Sequence, residues 1–238
     1  MNNISRLALL LAPILVVACK EKELTAPAAV IAVPVSATPA AAPAVAASVA
    51  APVAVPVAID PANMTDAQRD LDKKQKALDF GTMEDKYIND PLAQWGASAT
   101  ASSSALDGSG KPYDSMLPAQ LAGPADGKAW QNKSRDMGFE WVQLEYAKPV
   151  NATEVRLVVE SGTGVEALNK VELQDTDGKW NTVWSGISDI KRDARGPRTW
   201  FVKSFPKTAY KVKAVKYTIA NNLAVGSKEF DAAQLVGE

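Results

Sequence analysis

Four cationic side chains, Lys191, Arg192, Arg195 and Arg198, crowd around a Gly196-Pro197 step. Arginine's planar fork matches the oxygens of a phosphate or carboxylate two at a time, so this run could grip an acidic group. It also reads, more simply, as a solvated loop. Asp175-Thr-Asp177-Gly178 has the opening of a calcium loop, but the later ligands, above all the terminal bidentate Glu, are missing at the required spacing. A hairpin turn explains it better. Ser161-Gly-Thr-Gly164 is too short to cradle a phosphate and leads into no helix, which makes it a turn as well. Histidine is absent from all 238 residues. That removes Ser-His and Cys-His catalysis, His-based zinc sites and the commonest acid-base group near neutral pH. No carboxylate pair can be nominated for glycosidase chemistry, because such pairs meet in space and not along a chain. The expectation is therefore a protein that is not an enzyme, with a binding equilibrium and no turnover.

The elements that must position these loops follow from composition and periodicity. Lys plus Arg number 26 against 27 Asp plus Glu, so the basic excess needed for nucleic acid is missing. Residues 25–62 are nearly all Ala, Pro and Val, and proline repeated at short intervals forbids a continuous helix. They read as a linker, either a functional spacer or a tolerated tether. Extended at about 3.1 Å per residue, it would span on the order of 100 Å. Residues 66–79 read as a short surface helix with Thr65 as N-cap, Ala67, Leu71 and Leu78 on one stripe, and Gly81 as its end. Two leucines at heptad spacing are too few for a coiled coil. The organisation expected is residues 1–18 as an export signal, 19–62 as linker, 63–82 as helix and 83–238 as one all-β domain.

Period-two alternation marks the strands. Val142, Leu144 and Tyr146 alternate with Trp141, Gln143 and Glu145, and Val155, Leu157 and Val159 with Arg156, Val158 and Glu160. A turn is expected between them at Lys148-Pro149. Val171 and Leu173 lead through Asp175–Gly178 to a returning strand carrying Trp180, Thr182 and Trp184. Further strands are expected at 199–205, 215–219 and 230–236. Many short strands with regular turns predict a β-sandwich of the jelly-roll kind. Trp130, Trp141, Trp184 and Trp200 fall in or beside these strands, where they would fill the sandwich or cover a face; Trp95 and Trp180 are left open.

Two resemblances add to this reading. Arg6, the apolar run Leu7 to Ala18 and the tetrapeptide Val16-Val17-Ala18-Cys19 resemble the signal and lipobox of bacterial lipoproteins. The run is shorter than the roughly 20 apolar residues of a membrane span and is broken by Pro13. The resemblance implies cleavage before Cys19, which is the only cysteine, and multiple acylation there. With two or more chains such an anchor is effectively permanent. Lys20, where inner-membrane retention would want Asp, implies a lipid-anchored position at the bacterial outer membrane.

The second resemblance is carried by Ala97-Ser-Ala-Thr-Ala-Ser-Ser-Ser104, Leu117-Pro-Ala-Gln-Leu-Ala-Gly-Pro-Ala-Asp126 and Trp130. It continues through Glu140-Trp-Val-Gln-Leu-Glu-Tyr-Ala-Lys-Pro-Val150, Val171-Glu-Leu-Gln-Asp-Thr-Asp-Gly178 with Trp184-Ser-Gly186, and Glu229-Phe-Asp-Ala-Ala-Gln-Leu-Val-Gly237. Their order over residues 95–238 resembles a galactose-binding-like β-sandwich of the discoidin or coagulation-factor type C kind. That implies binding of carbohydrate, lipid head groups or protein surfaces through loops at one end, here a carbohydrate or glycan-bearing surface, or a protein of the envelope. The loops are 106–116, 132–138, 161–166, 187–198 and 221–228. Sugar recognition needs an aromatic face and a few fixed polar groups, and Tyr113, Arg135, Arg192, Arg195, Asn221 and Asn222 are the side chains on these loops able to supply them. No cofactor is expected. Some relatives hold a structural calcium ion between an early loop and the last strand, which here would involve Asp126 and Glu229.

Overall fold

A computed structural model describes residues 63–160 and 164–238. The export signal, Cys19 and the linker lie outside the described residues, as do residues 161–163 of the Ser161–Gly164 turn. No helix among the described residues is long and apolar enough to cross a membrane.

The chain enters through α1, Asp66–Ile88. Thr65 caps it as expected: its hydroxyl accepts from the Gln68 N–H at 3.3 Å, and the Gln68 side chain accepts from the Thr65 N–H at 2.8 Å. The helix does not end at Gly81, however, but continues to Ile88. A glycine inside a helix costs about 1 kcal/mol relative to alanine, and burial on the far side of it outweighs that cost. Phe80 is buried, and Met83 and Tyr87 pack against Val158, Trp200 and Ala232. Leu71 and Leu78, the expected apolar stripe, are 68% and 64% exposed. The buried face is thus selected by what the sheet offers, not by the helix's own pattern.

Phe80 fits because Gly196 has no side chain: a Cβ there would stand 2.4 Å from the Phe80 ring. Gly196→Ala is expected to lose about 1–3 kcal/mol in urea denaturation through this clash. Gly81→Ala, with open space around it, is expected to gain up to about 1 kcal/mol. Equal midpoints for the two variants would contradict this docking.

Among the described residues nine antiparallel strands follow: β1 (Ala93–Trp95), β2 (Ser98–Ala101), β3 (Trp130–Gln131), β4 (Phe139–Glu160), β5 (Leu168–Asp175), β6 (Trp180–Ser185), β7 (Arg198–Ser204), β8 (Lys211–Ala220) and β9 (Glu229–Gly237). They form two layers. One runs β2, the first half of β4, β8, β5, β6. The other sets β1 and β3 on β9, followed by the second half of β4 and then β7. The jelly-roll β-sandwich expected from the strand pattern is present, with α1 laid on the outer face of the second layer.

β4 belongs to both layers, which corrects the turn expected at Lys148-Pro149. Proline has no N–H to give the ladder, and pairing with β8 skips from Glu145 to Val150. The Gln94 side chain fills the gap, accepting from the Lys148 N–H at 3.0 Å and donating to its carbonyl at 2.6 Å. With those groups satisfied, the strand bends from one sheet to the other without reversing.

Between the layers, Val142, Leu144 and Tyr146 of the first half of β4 share one core with Val155, Leu157 and Val159 of the second, together with Trp130, Phe201, Tyr217 and Phe230. The alternate positions of the second half face α1. Arg156 there is buried and bridges Asp90 at 2.7 Å and Glu154 at 2.6 Å, tying the end of the helix to the sheet. The Asp175–Gly178 turn joins β5 to β6 as expected. Asp175 accepts the N–H groups of Asp177 and Lys179 at 3.0 and 2.8 Å, and Gly178 has a φ of 91°. Of the tryptophans, Trp130 and Trp200 are buried, whereas Trp95, Trp141, Trp180 and Trp184 are half-buried.

Candidate functional site

The bend in β4 brings its two ends to one pole. Phe139 pairs with Ala220 at the end of β8, and Glu160 with Arg198 at the start of β7. Ser103, Ser115, segment 132–138, Gly186 and Ile187, and segment 221–228 meet there, whereas Gly123 lies farther along the sandwich, its N–H on the Gly96 carbonyl. What fixes the segments that meet is a buried polar network in which Asn221 is the one member that the sequence singled out, and for a different role. Glu140, nearly fully buried, accepts from the Asn132 and Asn221 side-chain amides at 2.8 and 2.9 Å and from the Ser103 hydroxyl. Asn132 in turn accepts the Lys228 backbone N–H at 2.8 Å.

The Lys228 side chain is fully buried. Its ammonium donates to the carbonyls of Asn221 at 3.1 Å, Ala224 at 2.6 Å and Gly226 at 2.7 Å, and to that of Arg135. Burial pushes its pKa below the ordinary lysine range, with Glu140 and Asp136 pushing back. Gly164 lies against this side chain, where a Cβ would come within 2.8 Å of it. One ammonium therefore ties two loops together, 132–138 and 221–228, while its aliphatic stem packs under Gly164.

On this frame sits a cleft of about 380 Å³, lined by Phe139, Asn169, Lys170, Ser185, Gly186, Ile187, Ala220, Asn222 and Leu223. Phe139 is 70% exposed at its wall. The Asn169 side-chain oxygen is buried with no hydrogen-bond partner among the described residues, a deficit of about 1–3 kcal/mol. Lys170 reaches Glu172 at 3.1 Å. An exposed ring beside an amide, a hydroxyl and an ammonium is suited to a ligand with one apolar face and a polar rim.

The structure scatters the six residues nominated from the sequence. Asn222 lines the cleft. Asn221 is wholly buried, its amide donating to Glu140 and the Met137 carbonyl, so it is a structural residue rather than an exposed ligand group. Tyr113 is exposed beside the Asp114–Met116 turn, outside the cleft lining. Arg135 is exposed and contributes its carbonyl to Lys228. Arg192 is exposed, and Arg195 pairs with Asp193. Phe139 had a signal: Val142, Leu144 and Tyr146 face inward, so an odd-numbered aromatic at the start of that strand must face out. Asn169 and Lys170 had none, being ordinary strand residues.

The residues of the implied calcium site do not fit the ion. Calcium wants six to eight oxygens turned inward. Here the Asp126 carboxylate is held by the Lys128 ammonium at 2.7 Å and its N–H at 3.0 Å. The loop's own N–H groups, from Asp126 and Gly127, point at the buried Asp231 carboxylate at 3.2 and 2.9 Å. Burial raises the Asp231 pKa, and those two amides partly counter it. Glu229 lines a separate cleft with Glu160, Gln131 and Lys128. Among the described residues no three Asp, Glu or Cys groups converge as a metal cluster.

No family model and no curated protein sequence matches the chain. Among solved structures it is similar to a family 32 carbohydrate-binding module from a family 31 glycoside hydrolase of Clostridium perfringens, at 12% identity and a TM-score of 0.48, over 63% of this chain and 98% of that one. A second such module from Clostridium perfringens, in complex with GalNAc-β-1,3-galactose, is 15% identical with a TM-score of 0.46 over 61% and 96%. The family 32 module of Clostridium perfringens NanJ, in complex with galactose, is 10% identical with a TM-score of 0.46 over 60% and 98%. These likenesses concern the fold of the sandwich.

Proposed function

We infer that the sandwich is a non-catalytic carbohydrate-binding domain, held at the outer membrane by a lipidated Cys19 and carried on the Pro/Ala-rich linker. The observation that carries the binding reading is the exposed Phe139 ring in the wall of a cleft furnished with Asn169, Lys170, Ser185 and Asn222. The apolar face of a pyranose covers such a ring, and its hydroxyls reach the surrounding amides and ammonium. The anchor is supported by the Val16-Val17-Ala18-Cys19 sequence, and the absence of turnover by a chain without histidine.

A second reading, docking onto a protein of the envelope, is favoured by one observation. Met137, Phe139, Ile187, Leu223 and Val225 are all large apolar side chains exposed in the segments of this pole, and clustered apolar exposure marks interaction surfaces. A glycan array probed with the full-length chain separates the two. Selective retention on a sugar class, competed by the free sugar, is expected. A blank array together with co-purification of one envelope protein would overturn the carbohydrate reading in favour of the second.

A further inference from the structure

The basic run near Gly196-Pro197 does not stay together. Arg198 turns toward Glu84 at 3.3 Å and the buried Asp231 at 3.7 Å, and so becomes structural. Arg195 lies beside α1 instead. There Lys73, Lys76 and Arg195 line one cleft of about 410 Å³, closed by Asp72, Ala77 and Ala194. Cations far apart in the sequence, from a helix and from a loop, thus converge on one cavity that is separate from the Phe139 cleft. Carboxylates stand among them, Asp72 in the lining and Asp193 and Asp79 near Arg195, so what sets the cleft apart is the convergence of three cationic donors and not an excess of charge.

The three cations differ in how firmly they are held. Asp193 clamps one edge of Arg195, accepting from Nε at 3.0 Å and from Nη2 at 2.7 Å, while Nη2 also rests on the Met83 sulfur at 3.5 Å. Asp193 itself is only 17% exposed, which makes the clamp a support for the guanidinium. Nη1 has no hydrogen bond among the described residues. Lys76 pairs with Asp72 at 2.7 Å on the helix surface, an exposed pair of the kind that contributes at most about 1 kcal/mol, so its ammonium is free to exchange partners. Lys73 makes no ion pair among the described residues. Lys191 and Arg192, earlier in the loop that carries Arg195, are exposed and lie outside the lining of this cleft.

One pre-oriented guanidinium and two mobile ammoniums match a tetrahedral oxyanion better than a single carboxylate, because several oxygens can be met from different sides at once. We propose that the cleft between the first half of α1 and the loop carrying Arg195 is a binding site for a phosphate group, whether borne by a lipid headgroup or by a soluble phosphate ester. It is independent of carbohydrate binding in the Phe139 cleft.

The test uses the full-length chain carrying Cys19→Ser, so that no acyl group contributes. Titration with inorganic phosphate is followed through the backbone amide NMR signals of Lys76, Ala194 and Arg195. Saturable shifts confined to these segments are expected, with affinity falling about tenfold in the Lys73→Gln/Lys76→Gln double variant. Both side chains are exposed, so the variant's thermal midpoint stays within about a degree or two of the parent. A second arm measures sedimentation with phosphatidylcholine vesicles with and without phosphatidylglycerol. Co-sedimentation that needs phosphatidylglycerol and both lysines supports the site with a membrane source. Phosphate shifts without co-sedimentation support it with a soluble ester. Unsaturable shifts, or shifts and vesicle binding unchanged in the double variant, would overturn it.

Discussion

Lys228→Met is expected to cost about 3–5 kcal/mol of stability, read as a lowered urea midpoint with unchanged slope. Methionine nearly matches lysine in volume, so the loss does not come from a cavity. It comes from the carbonyls of Arg135, Asn221, Ala224 and Gly226, which lose the single donor they share. Each buried acceptor left unmatched costs about 1–3 kcal/mol, moderated where water can enter. Glu140 keeps its amide and hydroxyl donors but loses the attraction of the Lys228 charge. The control is Lys128→Met. Lys128 is 66% exposed and pairs only with the exposed Asp126, so that variant should stay within about 0.5 kcal/mol of the parent. If both variants unfolded at the same midpoint, the carbonyl cage would have no net role in stability. The same loss would be visible at the pole itself: hydrogen exchange of the amides in 221–228 should rise in Lys228→Met before that of the core strands, because the cage organises these loops.

Phe139→Ser is expected to lower glycan affinity at least tenfold, measured by calorimetry with the sugar class retained on the array, while stability hardly changes. A covered aromatic face contributes through its buried area and through ring geometry, of which the second part alone is about 0.5–1.5 kcal/mol. At 70% exposure in the free protein, the ring gives up little packing when removed. Affinity that persisted in Phe139→Ser but vanished in Trp141→Ala would move the site to the outer face of the sheet, where Trp141 stands opposite Thr218.

The legible parts of this molecule are those whose causes act over a few residues. Side-chain parity in β4 is a property of any extended strand, so Val142, Leu144 and Tyr146 identify the core face without a partner in view. The Asp175–Gly178 turn closes on its own Asp175 carboxylate, and Thr65 caps its own helix. Each could be read because donor and acceptor lie within a few positions of one another. Gly81 and Lys148-Pro149 carry equally local signals, yet both were overruled from a distance, by Phe80 seated over Gly196 and by the Gln94 amide replacing a broken ladder.

The chain by itself therefore determined a histidine-free, two-layered antiparallel domain behind a Pro/Ala-rich stretch, together with the parity that turns Phe139 outward. Tertiary structure alone decided that Asn221 is spent inside, that Lys228 lies in a cage of carbonyls, and that Lys73 and Lys76 share a cleft with Arg195. The reason is physical. Alternation and capping depend on neighbours along the backbone, whereas the partner of a buried polar group is whichever segment the fold brings within about 3 Å, and no spacing along the chain encodes that meeting.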